Sequence, residues 1–270
     1  MEEKRSAGQV VFGGVPLRPG GVMAAAERVL SAARDRRGGY VCTVNATMLT
    51  AAQRDKDLRE ALFGALFNTV DGVWVRRALA FCGHPGHLYC PGVELGEAVL
   101  ARAADEAIPV GFYGGAPGVA VQAAEAMKEK YPDLIFSFLR HGFDPETPPS
   151  LLTAAPPILF VCLGSPRQEK EMRRLSRLLP GTVMLGLGGS LDVYAQRVRR
   201  APETLRRAGM EGLFRCFSEP RRFLRLHPFA FLRLILHEKA ACRRARAEGS
   251  GRSASRVGGR RKGRLGRQNG

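Results

Sequence analysis

The residues best suited to chemistry lie in short turns that follow segments with strand character. One turn begins at Gly164, after the apolar run of residues 158–163, and continues through Arg167, Gln168 and Glu169 into a charged helix. A strand, a tight turn and a helix N-terminus commonly hold an anion or a nucleotide, because free N–H groups and the positive end of the helix dipole face the ligand. An ordinary strand-to-helix crossover has the same pattern, so this turn alone leaves both interpretations open.

Other predicted strand ends carry glycine or polar residues in the same way. They are Thr43 with Asn45, Asp71 with Gly72, and Gly114 with Gly115. In a parallel sheet such turns gather at the C-terminal edge of the strands, so residues far apart in sequence converge there. Gly, Asn and Asp are also the ordinary residues of turns, which is the alternative for each turn taken alone.

Strands and helices alternate along the chain, which predicts an α/β fold with a mostly parallel sheet covered on both faces. A strand at residues 40–44 is predicted to lead into one helix from Asn45 through about Phe67. Residues 70–75 are predicted to form a turn and a strand. Further strands are predicted at residues 109–115, 134–139, 158–163 and 182–187, with helices at 22–36, 94–104, 117–130 and 167–179.

The composition changes beyond Tyr194, so three regions are predicted. Residues 1–195 form the catalytic domain, residues 196–246 form an Arg/Phe-rich helical appendage, and residues 247–270 form a disordered basic tail. Between Arg221 and Leu236, aromatic, leucine and arginine residues interleave. This pattern suits an amphipathic helix in a membrane interface, and its alternative is a helix packed on the protein's own core.

The 270 residues carry a net charge of +17, with 45% apolar residues, which excludes a wholly disordered chain. From Arg243 to Gly270, ten Lys or Arg residues face a single acid, Glu248. The imbalance indicates a polyanionic partner, either anionic lipid or nucleic acid. The sequence shows neither a signal peptide nor an apolar run of membrane-spanning length, so a cytosolic protein is expected.

Two patterns resemble metal sites, and neither is typical. Cys82, His84, His87 and Cys90 lie close together, but their spacing matches no standard zinc motif. Asp55-Lys-Asp57 falls in a predicted helical run and is better explained as part of a solvated helix face. The sequence therefore predicts no bound metal.

Taken together and in order, these segments resemble the WecG/TagA/CpsF family of bacterial glycosyltransferases, from about Thr43 to Arg225. The motifs that carry the resemblance are Thr43-x-Asn45, Asp71-Gly72, Pro91-Gly92-Val-Glu94-Leu95, Phe112-Tyr-Gly114-Gly115-x-Pro117-Gly118, Leu163-Gly164-Ser-Pro166-Arg167-Gln168-Glu169, Gly188-Gly189-x-x-Asp192, Arg200-Ala201-Pro202, Gly209-Met-Glu211-x-x-x-Arg215 and Glu219-Pro220-Arg221-Arg222.

The resemblance implies a Rossmann-like domain with a C-terminal helical appendage. It implies an inverting transfer of N-acetylmannosamine, or a related sugar, from UDP to polyprenyl-diphosphate-linked N-acetylglucosamine, for wall teichoic acid or surface polysaccharide. The enzyme would need no cofactor or metal and would work as a peripheral protein on the inner face of the bacterial cell membrane, without nucleic acid. A homo-oligomer is compatible with the sequence.

The resemblance also assigns the site residues. Asp71 is the expected catalytic base, acting with Thr43. The expected substrate-binding residues are Asn45, Gly72, Gly114, Gly115, Gly164, Arg167, Gln168, Glu169, Arg215, Arg221, Arg222 and Arg225. Glu169 would clasp the ribose hydroxyls. The chain departs from the family pattern at Tyr89, where an arginine is common.

Two other functions remain open at this stage. A nucleic-acid-binding protein would use the Arg-rich tail, although no RNA-binding signature supports it. A catalytically degenerate binder of sugar nucleotides would keep the turns and lose the chemistry, and Tyr89 is compatible with it.

Overall fold

A parallel sheet of six strands forms the centre of the protein. The computed structural model describes residues 9–86, 89–198, 202 and 228–258, with side chains described through residue 244. The strands are β1 (Val10–Phe12), β2 (Val15–Leu17), β3 (Gly39–Val44), β4 (Phe67–Val70), β5 (Val110–Gly114), β6 (Phe136–Arg140), β7 (Ile158–Cys162) and β8 (Val183–Gly186). β1 and β2 form a separate antiparallel hairpin, and the large sheet has the order β4-β3-β8-β7-β5-β6 with every neighbouring pair parallel.

Helices cover both faces of this sheet, as the sequence predicts. The helices are α1 (Val22–Arg34), α2 (Ala46–Ala52), α3 (Lys56–Phe63), α4 (Val73–Phe81), α5 (Gly92–Asp105), α6 (Val119–Lys130), α7 (Pro149–Ala154), α8 (Arg167–Leu175), α9 (Ser190–Tyr194) and α10 (Pro228–Gly258). One core cluster joins α1, α5, α6 and α9 to the sheet, and a second joins the β1–β2 hairpin, α2, α3, α4, α8 and α10. The central strands are continuous apolar runs because both of their faces are covered.

The segment after β3 differs from its prediction as a single helix reaching Phe67. It contains two helices, because the Asp55 side chain accepts a hydrogen bond from Leu58 N and caps the start of α3. Strand β4 then occupies Phe67–Val70, with all four residues buried. Helix α2 thus ends at Ala52, and Asp55 starts α3.

The prediction of a turn and strand at residues 70–75 is also wrong. The strand comes before Asp71, and α4 follows it. The β-branched residues Val73 and Val75 favour a strand by propensity, but here they are buried on the inner side of a helix. Gly72 begins that helix with φ of 109°, a conformation that favours glycine. Tertiary packing has overridden local preference.

Helix α10 packs against the second core cluster. Phe231 and Leu234 are buried in the second core cluster, while Phe229 remains 85% exposed. The backbone is helical through Gly258, whereas the sequence predicts disorder from residue 247; helical hydrogen bonds are local and need no buried surface. Residues 259–270 lie outside the described part. Among the helices described, none has a stretch both long and apolar enough to span a bilayer.

Candidate active site

Asp71 and Asn45 lie side by side at the C-terminal ends of β4 and β3. The Asp71 N–H donates to Val44 O at 2.8 Å, which fixes the first residue after β4 against the last residue of β3. Asn45 caps α2 through its Oδ1, which accepts from Met48 N at 3.1 Å. A Cβ placed on Gly72 would lie 4.0 Å from the Asn45 Cβ. The two sequence-predicted polar turns therefore meet, with Asp71 half-buried between them.

Cys90 is a buried neighbour of Asp71. Its N–H donates to Val70 O at 2.8 Å, directly before Asp71. Burial raises the pKa of the Cys90 thiol to about 12, and the Asp71 and Glu94 carboxylates add to the shift. The thiol is therefore neutral at physiological pH.

Thr43 forms part of the floor of the site. Its side chain is 6% exposed, and Oγ1 donates to Gly186 O at 3.0 Å. A Cβ on Gly92, the first residue of α5, would lie 3.1 Å from the same hydroxyl. Thr43 thus joins the C-terminal end of β3 to that of β8 and is covered by the start of α5.

The turns after β5, β6 and β7 are joined by backbone hydrogen bonds. Gly115 N donates to Cys162 O at 3.0 Å, and Gly142 N donates to Gly115 O at 2.9 Å. Gly114 has φ of 120°, and a Cβ there would lie 2.3 Å from Cys162 O. Only glycine permits this close approach, after which the chain turns into α6.

The turn after β7 contains both exposed and buried residues. No heavy atom of the described chain lies within 4 Å of a Cβ placed on Gly164, which has φ of 75°. The exposed Arg167 guanidinium lies over the Phe143 ring, 5.1 Å from its centroid. Gln168 and Glu169 are instead 4% and 0% exposed. The sequence predicts all three as substrate contacts, but the structure places only Arg167 at the surface.

The architecture leaves a crevice at the centre of this edge. The helices after β3 and β7 pack on one face of the sheet, and those after β5 and β8 pack on the other. Ligands of open α/β sheets bind at such switch points, outside the carboxyl ends of the strands. Asp71, the glycine turns and Arg167 lie along this edge.

A comparison with protein families decides the class of protein to which this site belongs. Residues 10–245 match the model described as the glycosyl transferase WecG/TagA/CpsF family. The chain belongs to this family. The match includes the whole six-stranded sheet, so it confirms the resemblance seen in the sequence and makes the protein a glycosyltransferase.

Some predicted residues of the WecG/TagA/CpsF site lie outside the described part of the chain. These are Arg215, Arg221, Arg222 and Arg225. Their contact with substrate stays a prediction. Tyr89, where the sequence predicts a departure from the family pattern, is described and half-buried.

The cysteine and histidine residues between Cys82 and Cys90 do not share one set of neighbours. Cys82 Sγ lies 3.8 Å from Ile235 O of α10, and His84 Nε2 lies 3.7 Å from Cys242 Sγ. His87 is outside the described residues. Across the described ranges, no three His, Cys, Asp or Glu side chains form a group that could hold a metal ion.

Sequence reasoning missed the contact between Phe143 and Arg167. A single aromatic residue in a proline-rich loop has no periodic signal, and its partner Arg167 is 24 positions away. The link arises because Gly142 is bonded to the turn after β5. A separate groove, lined by Val93, Glu97 and Lys130 among others, contains none of the residues of the four turns.

Proposed function

We propose that this glycosyltransferase moves N-acetylmannosamine, or a related sugar, from UDP to a polyprenyl-diphosphate-linked N-acetylglucosamine with inversion. The observation that carries the proposal is the position of Asp71 in a chain of this family. It lies beside Asn45 at the same sheet edge as the glycine turns after β5 and β7. One carboxylate and a set of N–H donors at one edge are what an inverting transfer requires.

In this proposal Asp71 is the general base. Its carboxylate takes the proton of the acceptor hydroxyl, whose oxygen forms a bond to the anomeric carbon from the face opposite UDP. The bond between that carbon and the UDP oxygen breaks, and UDP leaves with the electron pair. Thr43 contributes by holding the end of β3 against β8, since its hydroxyl is bonded to Gly186 O at 3.0 Å.

The departing diphosphate would be stabilised from the glycine turns. Helix α6 has 12 residues and starts after Gly118, whose φ of 80° turns the chain sharply into the helix. Its N-terminal N–H groups and the Arg167 guanidinium supply positive potential for a leaving anion. Arg215, Arg221, Arg222 and Arg225 are proposed as further phosphate contacts, because the guanidinium fork suits phosphate.

The outward side of α10 supports work at an anionic membrane surface. Phe229, Leu232 and Leu236 are 85%, 53% and 56% exposed. Arg233 and Arg243 are exposed on the same helix. Apolar and basic side chains on one exposed helix face favour binding in the lipid headgroup region. A lipid-linked acceptor would present its diphosphate at that depth.

The test measures UDP release from UDP-N-acetylmannosamine with a short-chain lipid diphosphate acceptor. We expect Asp71→Asn to lower acceptor-dependent release by about a hundredfold or more, as loss of a general base does. Asp57→Asn is the matched control, because it removes the same charge from a side chain that is 74% exposed on α3 and pairs with Lys170 Nζ at 3.9 Å instead of lying beside Asn45.

Equal rates for Asp71→Asn and wild type would refute the role of Asp71. If wild type released no UDP from this donor, other UDP sugars would be tested, beginning with the mannosaminuronate. Binding of UDP without turnover of any donor would instead support a catalytically degenerate protein.

A further inference from the structure

A buried acid and its neighbouring amide link two turns of the active-site edge. Gln168 Nε2 donates to Glu169 Oε1 at 2.7 Å, and Gly188 N donates to Gln168 Oε1 at 3.0 Å. Gln168 and Glu169 begin α8 after β7, and Gly188 lies in the turn between β8 and α9. Because α8 and α9 pack on opposite faces of the sheet, the Gln168 side chain bridges the crevice between β7 and β8.

The end of β8 leaves this bridge little freedom. A Cβ on Gly186 would lie 2.6 Å from Met172 Cε and 3.2 Å from Gln168 Nε2. On its other side, the Gly186 carbonyl accepts the hydrogen bond from Thr43. The end of β8 is therefore held between β3 and α8, with the Gln168 amide packed directly against it.

The position of the β8 turn also affects the donor side of the site. Leu191 of α9 lies 3.8 Å from a Cβ placed on Gly115, in the turn after β5. A shift of Gly188 would move α9 and disturb its packing against the Gly115 turn. The Gln168 bridge thus sets three turns relative to one another.

Glu169 has no access to solvent and one unsatisfied oxygen. Its side chain is 0% exposed, and Oε2 has no hydrogen-bond partner of standard geometry in the part of the chain described. Burial raises the pKa of the Glu169 carboxyl, whereas hydrogen bonds with Gln168 and Ser165 act to lower it; the carboxylate in turn raises the pKa of the Cys42 thiol on β3. An ionised carboxylate in this fully buried position loses its hydration, which these hydrogen bonds replace only in part. A ribose could not reach Glu169 in this structure, because the residue is 0% exposed.

We propose that Glu169 is a positioning residue that holds the Gln168 amide so that the turns after β7 and β8 form a fixed donor site. It does not touch the nucleotide. This inference rests on the proposed function, because it assigns the donor site of the same UDP-sugar transfer.

Two conservative variants separate this role from a ribose contact. Glu169→Gln keeps the length of the side chain and an oxygen that accepts from Gln168, so we expect a KM for the UDP-sugar within about threefold of wild type. Glu169→Asp keeps the acid but is one methylene too short to reach Gln168. We expect its KM for the UDP-sugar to rise about tenfold or more, while the KM for the acceptor stays unchanged.

A ribose-clasping carboxylate would give a different result. Glu169→Gln would then lose the charged acceptor, and UDP affinity measured by calorimetry would fall about tenfold or more. That outcome would overturn the inference, as would wild-type kinetics in Glu169→Asp.

A measurement without substrate keeps the inference apart from the proposed function. Hydrogen exchange of the peptide containing Gly188 should be as slow in Glu169→Gln as in wild type, and faster in Glu169→Asp. Equal exchange rates in all three proteins would refute the inference that Glu169 holds Gln168 against Gly188. Exchange rates in this order together with no turnover of any UDP-sugar by wild type would refute the proposed function. The structural role of Glu169 in holding Gln168 would still be supported.

Discussion

Gly114→Ala tests the close approach of β5 and β7 that shapes the donor side of the site. At φ of 120°, an alanine Cβ would lie 2.3 Å from Cys162 O, about 1 Å inside an ordinary contact. The left-handed backbone costs about 1–2 kcal/mol for a residue with a Cβ. Opening the strand pair to relieve the clash adds about 1–3 kcal/mol. We therefore expect the free energy of unfolding to fall by about 2–5 kcal/mol, a large part of the stability of a domain.

Gly164→Ala provides the matched control. Its φ of 75° is also in the left-handed region, but no described heavy atom lies within 4 Å of the new Cβ. It should lose only the backbone contribution of about 1–2 kcal/mol. Guanidinium denaturation of both variants, with equal m-values, gives the comparison. If Gly114→Ala were as stable as Gly164→Ala, the close approach would not constrain this turn and the reasoning would be refuted.

Two further predictions concern Glu169 and α10. Burial raises the pKa of Glu169 above 4.5, so its contribution to stability is complete below that pH and is lost as the pH rises through the folded-state pKa. The stability of wild type relative to Glu169→Gln should therefore fall with rising pH, by at most about 1.4 kcal/mol per pH unit, and a constant difference between pH 4.5 and 8 would contradict it. Replacing Phe229 and Leu232 together by Glu should lower sedimentation with anionic vesicles about tenfold or more, because each apolar side chain loses its burial in lipid. Phe63→Glu, at a side chain 68% exposed on α3, should sediment with vesicles like wild type. An equal loss of sedimentation in the α10 variant and in Phe63→Glu would contradict a specific role of α10 in membrane binding.

The sequence alone was sufficient for the α/β class and for the meeting of the glycine and polar turns at one edge of the sheet. Alternating apolar runs and glycine turns predict a parallel sheet, and a parallel sheet brings its turns to one edge. Gly114 and Gly164 were found this way because a positive φ is a local requirement that selects glycine. The match over residues 10–245 confirms the family that these motifs indicate.

Tertiary structure decided which polar side chains face the crevice and which lie beneath it. Sequence reasoning treated Arg167, Gln168 and Glu169 alike, yet only Arg167 is exposed. Thr43 bonds to Gly186, which lies 143 positions away, and Gln168 bonds to Gly188 across the sheet. The type of a residue determines which hydrogen bonds its side chain is able to make. Its burial and its partners depend on strands that meet only after folding, because neighbours in the sheet are distant in sequence.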